Sequence, residues 1–200
     1  MKKLGLMMAV VLGLMAVAAQ AEPVTARKAL ELANQKLPDA AQNNLIWIEG
    51  TLSDTSLRPR QWEITFYDPE RLNAGTMVRM QDNSVKKIGG AVRMFDDARW
   101  SRFGRNFSGY NLNEIISLAR WRFDSDAITA KVTTHPRLAD YQVVGVQLLL
   151  RKPSDGDVAP TWRVKVLARA KAEGAVSKWV GSLTYNGETG ELLRDDLTVE

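Results

Sequence analysis

His135 is the single imidazole in a chain of 200 residues that contains no cysteine. These two counts exclude a thiolate nucleophile, a disulfide frame and any cysteine-ligated zinc or iron–sulfur centre, and leave one imidazole at most for a metal. A catalytic histidine needs a nucleophile and an orienting acid beside it, and Thr134-His135-Pro136-Arg137 supplies neither. Pro136 biases the residue before it toward extended backbone, so His135 reads as an exposed loop residue. Carboxylates could act alone if one stayed protonated while its neighbour ionised. Glu188, Glu191, Asp195 and Asp196 are the closest-spaced acids, but they fall in or beside a turn, where solvation opposes such a split. Asp155-Gly156-Asp157 lacks the further oxygen ligands and bidentate acid of a calcium loop. The expectation is no catalytic residue, no metal and no cofactor.

Recognition chemistry is better represented. Between Arg93 and Tyr110, Arg93, Arg99, Arg102 and Arg105 are interleaved with Phe95, Trp100, Phe103, Phe107 and Tyr110. Planar guanidinium groups stack and fork, and rings bury large area at low entropy cost, which is why interfaces favour both. Arg99, Trp100, Arg102, Phe103 and Arg105, together with Trp179 farther along, are the partner-binding residues this pattern suggests. The competing reading makes the stretch a connector whose rings close a seam between two sheets.

These groups must be positioned by elements that hydropathy patterning delimits. Lys2 and Lys3 precede an apolar run from Leu4 to Ala18 that ends in Ala19-Gln20-Ala21, the form of a secretory signal peptide over 1–21. The run is too short for a bilayer span. Cleavage after Ala21 would remove two lysines and no acid, lowering the net charge by two from +4. The remainder is mildly basic with acids interspersed, which together with export argues against nucleic acid. The expected location is periplasmic or secreted, with no stable membrane insertion after cleavage.

Thr25 can cap a helix with Ala26, Ala29, Leu30, Ala33 and Leu37 on one face, ended by Pro38. Strands are expected at 45–52, 61–67, 76–80 and 85–88, the last two joined at Asp82-Asn83-Ser84. Asn111 and Glu114 form a capping-box pattern, predicting a second helix with Leu112, Ile115, Ile116, Ala119 and Phe123 in its apolar stripe. Strands should follow at 141–151, 161–170, 176–185 and 191–199, with a surface loop at 152–160. Within 161–170, Trp162, Val164 and Val166 alternate with Arg163, Lys165 and Leu167. The order of one helix and then a meander occurs twice, and Trp62-Glu63-Ile64-Thr65-Phe66 matches Trp162-Arg163-Val164-Lys165-Val166 in pattern. The expectation is an α+β fold of two helix-plus-antiparallel-meander repeats, at 22–92 and 111–200, joined by a connector at 93–110.

The segment Trp179 to Leu193, with the turn Gly187-Glu188-Thr189-Gly190-Glu191-Leu192-Leu193, resembles the end of a PepSY domain. The second repeat carries the resemblance more clearly than the first, where Ser84-Val85 stands in place of Thr-Gly. The resemblance implies a PepSY/cystatin-like fold and a small exported module of the kind found in propeptides of secreted metallopeptidases and in standalone periplasmic proteins. It brings no catalytic residues. The functional expectation is a non-enzymatic protein-binding module, peptidase-inhibitor-like or regulatory, whose partner is another exported or envelope protein such as a peptidase. The alternatives are a binder of a small hydrophobic or glycan ligand on a concave sheet lined by Trp and Tyr, and a carboxylate-based hydrolase.

Overall fold

The computed structural model describes residues 22–53, 56–71, 73–91, 110–153 and 156–199. The expected signal peptide at 1–21, and the connector at 93–110 apart from Tyr110, lie outside them. Among the described residues two α-helices, α1 (Ala26–Asn34) and α2 (Ser125–Thr133), accompany eight strands. These are β1 (Leu45–Ser53), β2 (Pro59–Tyr67), β3 (Gly75–Gln81), β4 (Ser84–Gly90), β5 (Tyr141–Arg151), β6 (Thr161–Ala170), β7 (Lys178–Asn186) and β8 (Leu192–Asp195). They form one sheet in the order β4-β3-β2-β1-β5-β6-β7-β8, antiparallel at every joint.

This corrects the expected fold. The chain does not form two helix-plus-meander repeats. It forms one continuous, sheet-dominated body in which β1 pairs with β5 through Ile48 opposite Leu150 and Gly50 opposite Leu148. The pairing is between segments about a hundred residues apart, and a local hydropathy pattern carries no trace of it. One core row runs across both sides of this joint: Val78, Ile64, Ile48, Leu150, Trp162 and Tyr185 are successive cross-strand partners, and all are at most 3% exposed. The helices cover this face through Ala26, Ala29, Leu30 and Ala33 of α1 and Ile128 and Val132 of α2. Their N-termini are also tied together: the Ser125 hydroxyl accepts from the Ala26 N–H at 3.0 Å, and the Asp124 carboxylate accepts from the Arg27 N–H at 3.2 Å.

Thr25 caps α1 as expected, accepting from the Lys28 N–H at 3.4 Å, although the helix ends at Asn34. The second helix begins well after Asn111. The capping box does form, but it closes only a 3-10 turn at Leu112–Glu114, and Ile115 is extended (φ −63°, ψ 130°). The Ile116 N–H then donates to Leu45 O at 2.7 Å, diverting the chain onto β1. α2 starts instead after Asp124, whose carboxylate accepts from the Ser125 N–H at 2.7 Å.

Between the sheet and α2 sits a pair of indoles. Trp121 and Trp162 meet edge to face at 6.0 Å, and both donate their ring N–H to the carbonyl of Phe123 at 2.8 Å. This explains why Trp121, off the expected helical stripe, is 1% exposed.

Candidate functional site

The face of the sheet turned away from the helices carries the surface chemistry. Along β6, strict alternation sends Trp162, Val164, Val166 and Ala168 into the core and leaves Arg163, Lys165 and Arg169 exposed, with Leu167 half-buried among them. Register adds neighbours: Leu149 and Thr184 flank Arg163, Gln147 and Ser182 flank Lys165, and Trp179 lies opposite Leu167. Arg151 ends the adjacent strand, opposite Thr161, and is exposed. Successive outward residues on one strand are about 6.6 Å apart, and neighbouring strands about 4.8 Å. The cations therefore form a lattice and not a single point.

What separates this half of the face from the other is neutralisation. On β2 and β3, Arg79 is paired with Glu63 at 2.6 Å. On β6, two of the cations are held by neutral acceptors. Arg163 Nε donates to the Ser182 hydroxyl at 3.5 Å, and an Arg169 nitrogen donates to the Gln142 amide oxygen at 2.8 Å. Among the described residues, Arg151, Arg163, Lys165 and Arg169 make no ion pair with a carboxylate. Among the described residues their charge is thus uncompensated, with Arg163 and Arg169 already oriented, an arrangement suited to an anion.

Of the partner-binding residues expected from sequence, Trp179 is on this face and 56% exposed. Arg99, Trp100, Arg102, Phe103 and Arg105 lie outside the described residues. Trp179 owes its place to a bulge in β7. Lys165 opposes Ser182 and Leu167 opposes Trp179, so Val180 and Gly181 together face Val166. Gly181 takes φ 115°. The extra residue lets Trp179 and Ser182 share the outer face while Val180 and Leu183 are both fully buried. Arg151, Arg163, Lys165 and Arg169 did not stand out as a site in the sequence. The two-residue spacing of Arg163 and Lys165 was visible, but the absence of an opposing acid needs the register of β5 and β7.

The single histidine is not the exposed loop residue expected. Its side chain is 10% exposed, with Nε2 3.7 Å from the Asp195 carboxylate, and its Nδ1 is buried without a hydrogen-bond partner. Burial opposes ionisation of Asp195, but the Leu197 N–H, the Arg137 guanidinium at 3.0 Å and the nearby imidazole outweigh it, and the carboxyl is held below its ordinary value. Nearby, the Tyr185 hydroxyl is buried and unpartnered, and burial followed by the Asp195 charge pushes it up to about 12.

The signs give a testable profile. A lowered carboxyl stabilises the fold above the unfolded value of 3.8, and that contribution is lost as pH falls below it. A raised phenol stabilises below 10 and is lost as pH rises from 10 toward 12. Urea melts should show Tyr185→Phe with a shallower loss of stability above pH 10 and no penalty at neutral pH, since the hydroxyl it removes is unpartnered. A steep alkaline loss that persists in Tyr185→Phe would refute this.

The acids in and beside the last turn do not converge. Glu188 pairs with Arg120 at 2.9 Å, Asp195 with Arg137, and Asp196 with Arg194 at 2.7 Å. Among the described residues, no group of three His, Cys, Asp or Glu gathers to hold a metal ion, and no helix is long and apolar enough to cross a membrane. The chain significantly matches no family model, no curated protein and no solved structure.

Proposed function

We propose that this chain is an exported, non-enzymatic protein-binding module of PepSY-like type that holds an acidic partner on the outer face of β5 to β7. The observation that carries the reading is the set of exposed cations Arg151, Arg163, Lys165 and Arg169, none with a carboxylate partner among the described residues, of which Arg163 and Arg169 are oriented by neutral acceptors. A partner's carboxylates would complete these pairs, and Trp179 would supply the apolar anchor that interfaces favour. The turn at 187–193 supports the PepSY-like assignment by its residues, and the run at 2–21 supports export.

Two observations weigh against the other readings. A Trp-lined concavity for a small ligand finds no open rings on the helix side, where Trp62, Trp121 and Trp162 are at most 2% exposed. A carboxylate hydrolase would need one acid raised toward neutrality, whereas Asp195 is lowered and gripped by Arg137.

Photocrosslinking tests the reading. A photoreactive side chain at position 165 should yield a covalent adduct with another exported protein, and one at Gln81, exposed on β3, should not. The adduct should disappear in about 0.5 M salt, where charges are screened beyond roughly 4 Å. Equal yields at the two positions, or no protein adduct at 165, would count against it.

A further inference from the structure

Lys165 is about 6.6 Å from Arg163 along β6, and the next two outward positions are Leu167 and Arg169. Trp179 lies across from Leu167, widening that step into an apolar spot. The exposed face of one strand therefore presents, at regular two-residue steps, cation, cation, apolar pair, cation. An extended peptide has the same repeat on each of its own faces. A helix places its side chains on a given face at unequal three- and four-residue steps and cannot keep this register.

We infer that the partner's contacting segment is an extended acidic stretch laid along β6, with the pattern acid-x-acid-x-apolar-x-acid read in one chain direction or its reverse. The inference rests on the protein-binding reading above and specifies what that partner presents. The acids complete Arg163, Lys165 and Arg169, which have no carboxylate partner among the described residues. The apolar residue packs on Leu167 and Trp179, and the intervening residues face solvent. Arg163 and Arg169 are already oriented by Ser182 and Gln142, so little side-chain freedom is lost when the carboxylates arrive. An anionic bilayer would also attract these cations, but it has no order to match.

Labelled synthetic peptides tested by fluorescence anisotropy at low salt decide the matter. One carries the pattern, a second has the same composition with its acids in one block, and phosphatidylglycerol vesicles form a third arm. The patterned peptide should bind roughly tenfold tighter than the blocked one, the product of three exposed ion pairs each worth about twofold. Trp179→Ala should narrow that gap without abolishing binding. Equal affinity for the two peptides would overturn the extended-register inference while leaving a protein-binding face intact. Binding to vesicles and to neither peptide would overturn both.

Discussion

Trp162→Ala should cost about 3–5 kcal/mol, the range for removing a large aromatic from a packed core. The side chain is completely buried, stands edge to face with Trp121 at 6.0 Å, and spans the space between β6 and the segment that leads into α2. Its indole N–H shares the Phe123 carbonyl with that of Trp121, so the loss includes a hydrogen bond as well as ring contacts. Trp162→Phe separates these effects: it keeps most of the apolar surface and should lose about 1–2 kcal/mol. Chemical denaturation followed by circular dichroism reads both. Near-wild-type stability for Trp162→Ala would mean that the helix layer is not locked to the sheet through this pair.

Gly181→Ala should be comparably damaging, for a backbone reason. A Cβ at this position would lie 2.2 Å from the carbonyl oxygen of Asp196 and 2.8 Å from the Leu197 Cα, both backbone atoms. Its φ of 115° is one that L side chains rarely adopt. The chain after β8 is tied to β7 here, the Asp196 N–H donating to Ser182 O at 2.9 Å and the Thr198 N–H to Val180 O at 2.7 Å. Relief of the clash requires that segment to lift away or the bulge to straighten. The strained backbone alone costs about 1–3 kcal/mol, and displacement of the pairing adds to it. Because the bulge sets which way Trp179 points, the variant should also alter the emission of its exposed indole. Hydrogen exchange should quicken at the amides of Asp196 and Thr198. Unchanged protection at both amides, with unchanged stability, would refute the role assigned to Gly181.

Much of the sheet was legible because half-buried strands alternate. The spans at 141–151 and 161–170 coincide with β5 and β6. Asp82 and Asn83 adopt positive φ, 48° and 63°, as a tight hairpin turn requires. α2 was hidden for a physical reason: two of its four buried residues, Ser125 and Thr129, are polar, so no apolar stripe marks it. The Glu114 carboxylate does accept from the Asn111 N–H and the Asn111 side chain from the Asn113 N–H, but a cap starts a turn without obliging it to continue. The β1–β5 joint depends on pairing between distant segments, and nothing near Ile48 or Leu150 announces it. The same limit applies to the candidate face. Arg163 and Lys165 were visible as outward residues, but their lack of neutralisation is a property of three strands together.

The most direct test of the binding face is the double charge reversal Arg163→Glu, Lys165→Glu. Both side chains are exposed and neither is paired with an acid among the described residues, so far-ultraviolet circular dichroism and the thermal midpoint should stay close to wild type. Association with the acidic patterned peptide should fall by at least about a hundredfold, since two attractions become repulsions. Retained affinity in a folded double variant would contradict the account.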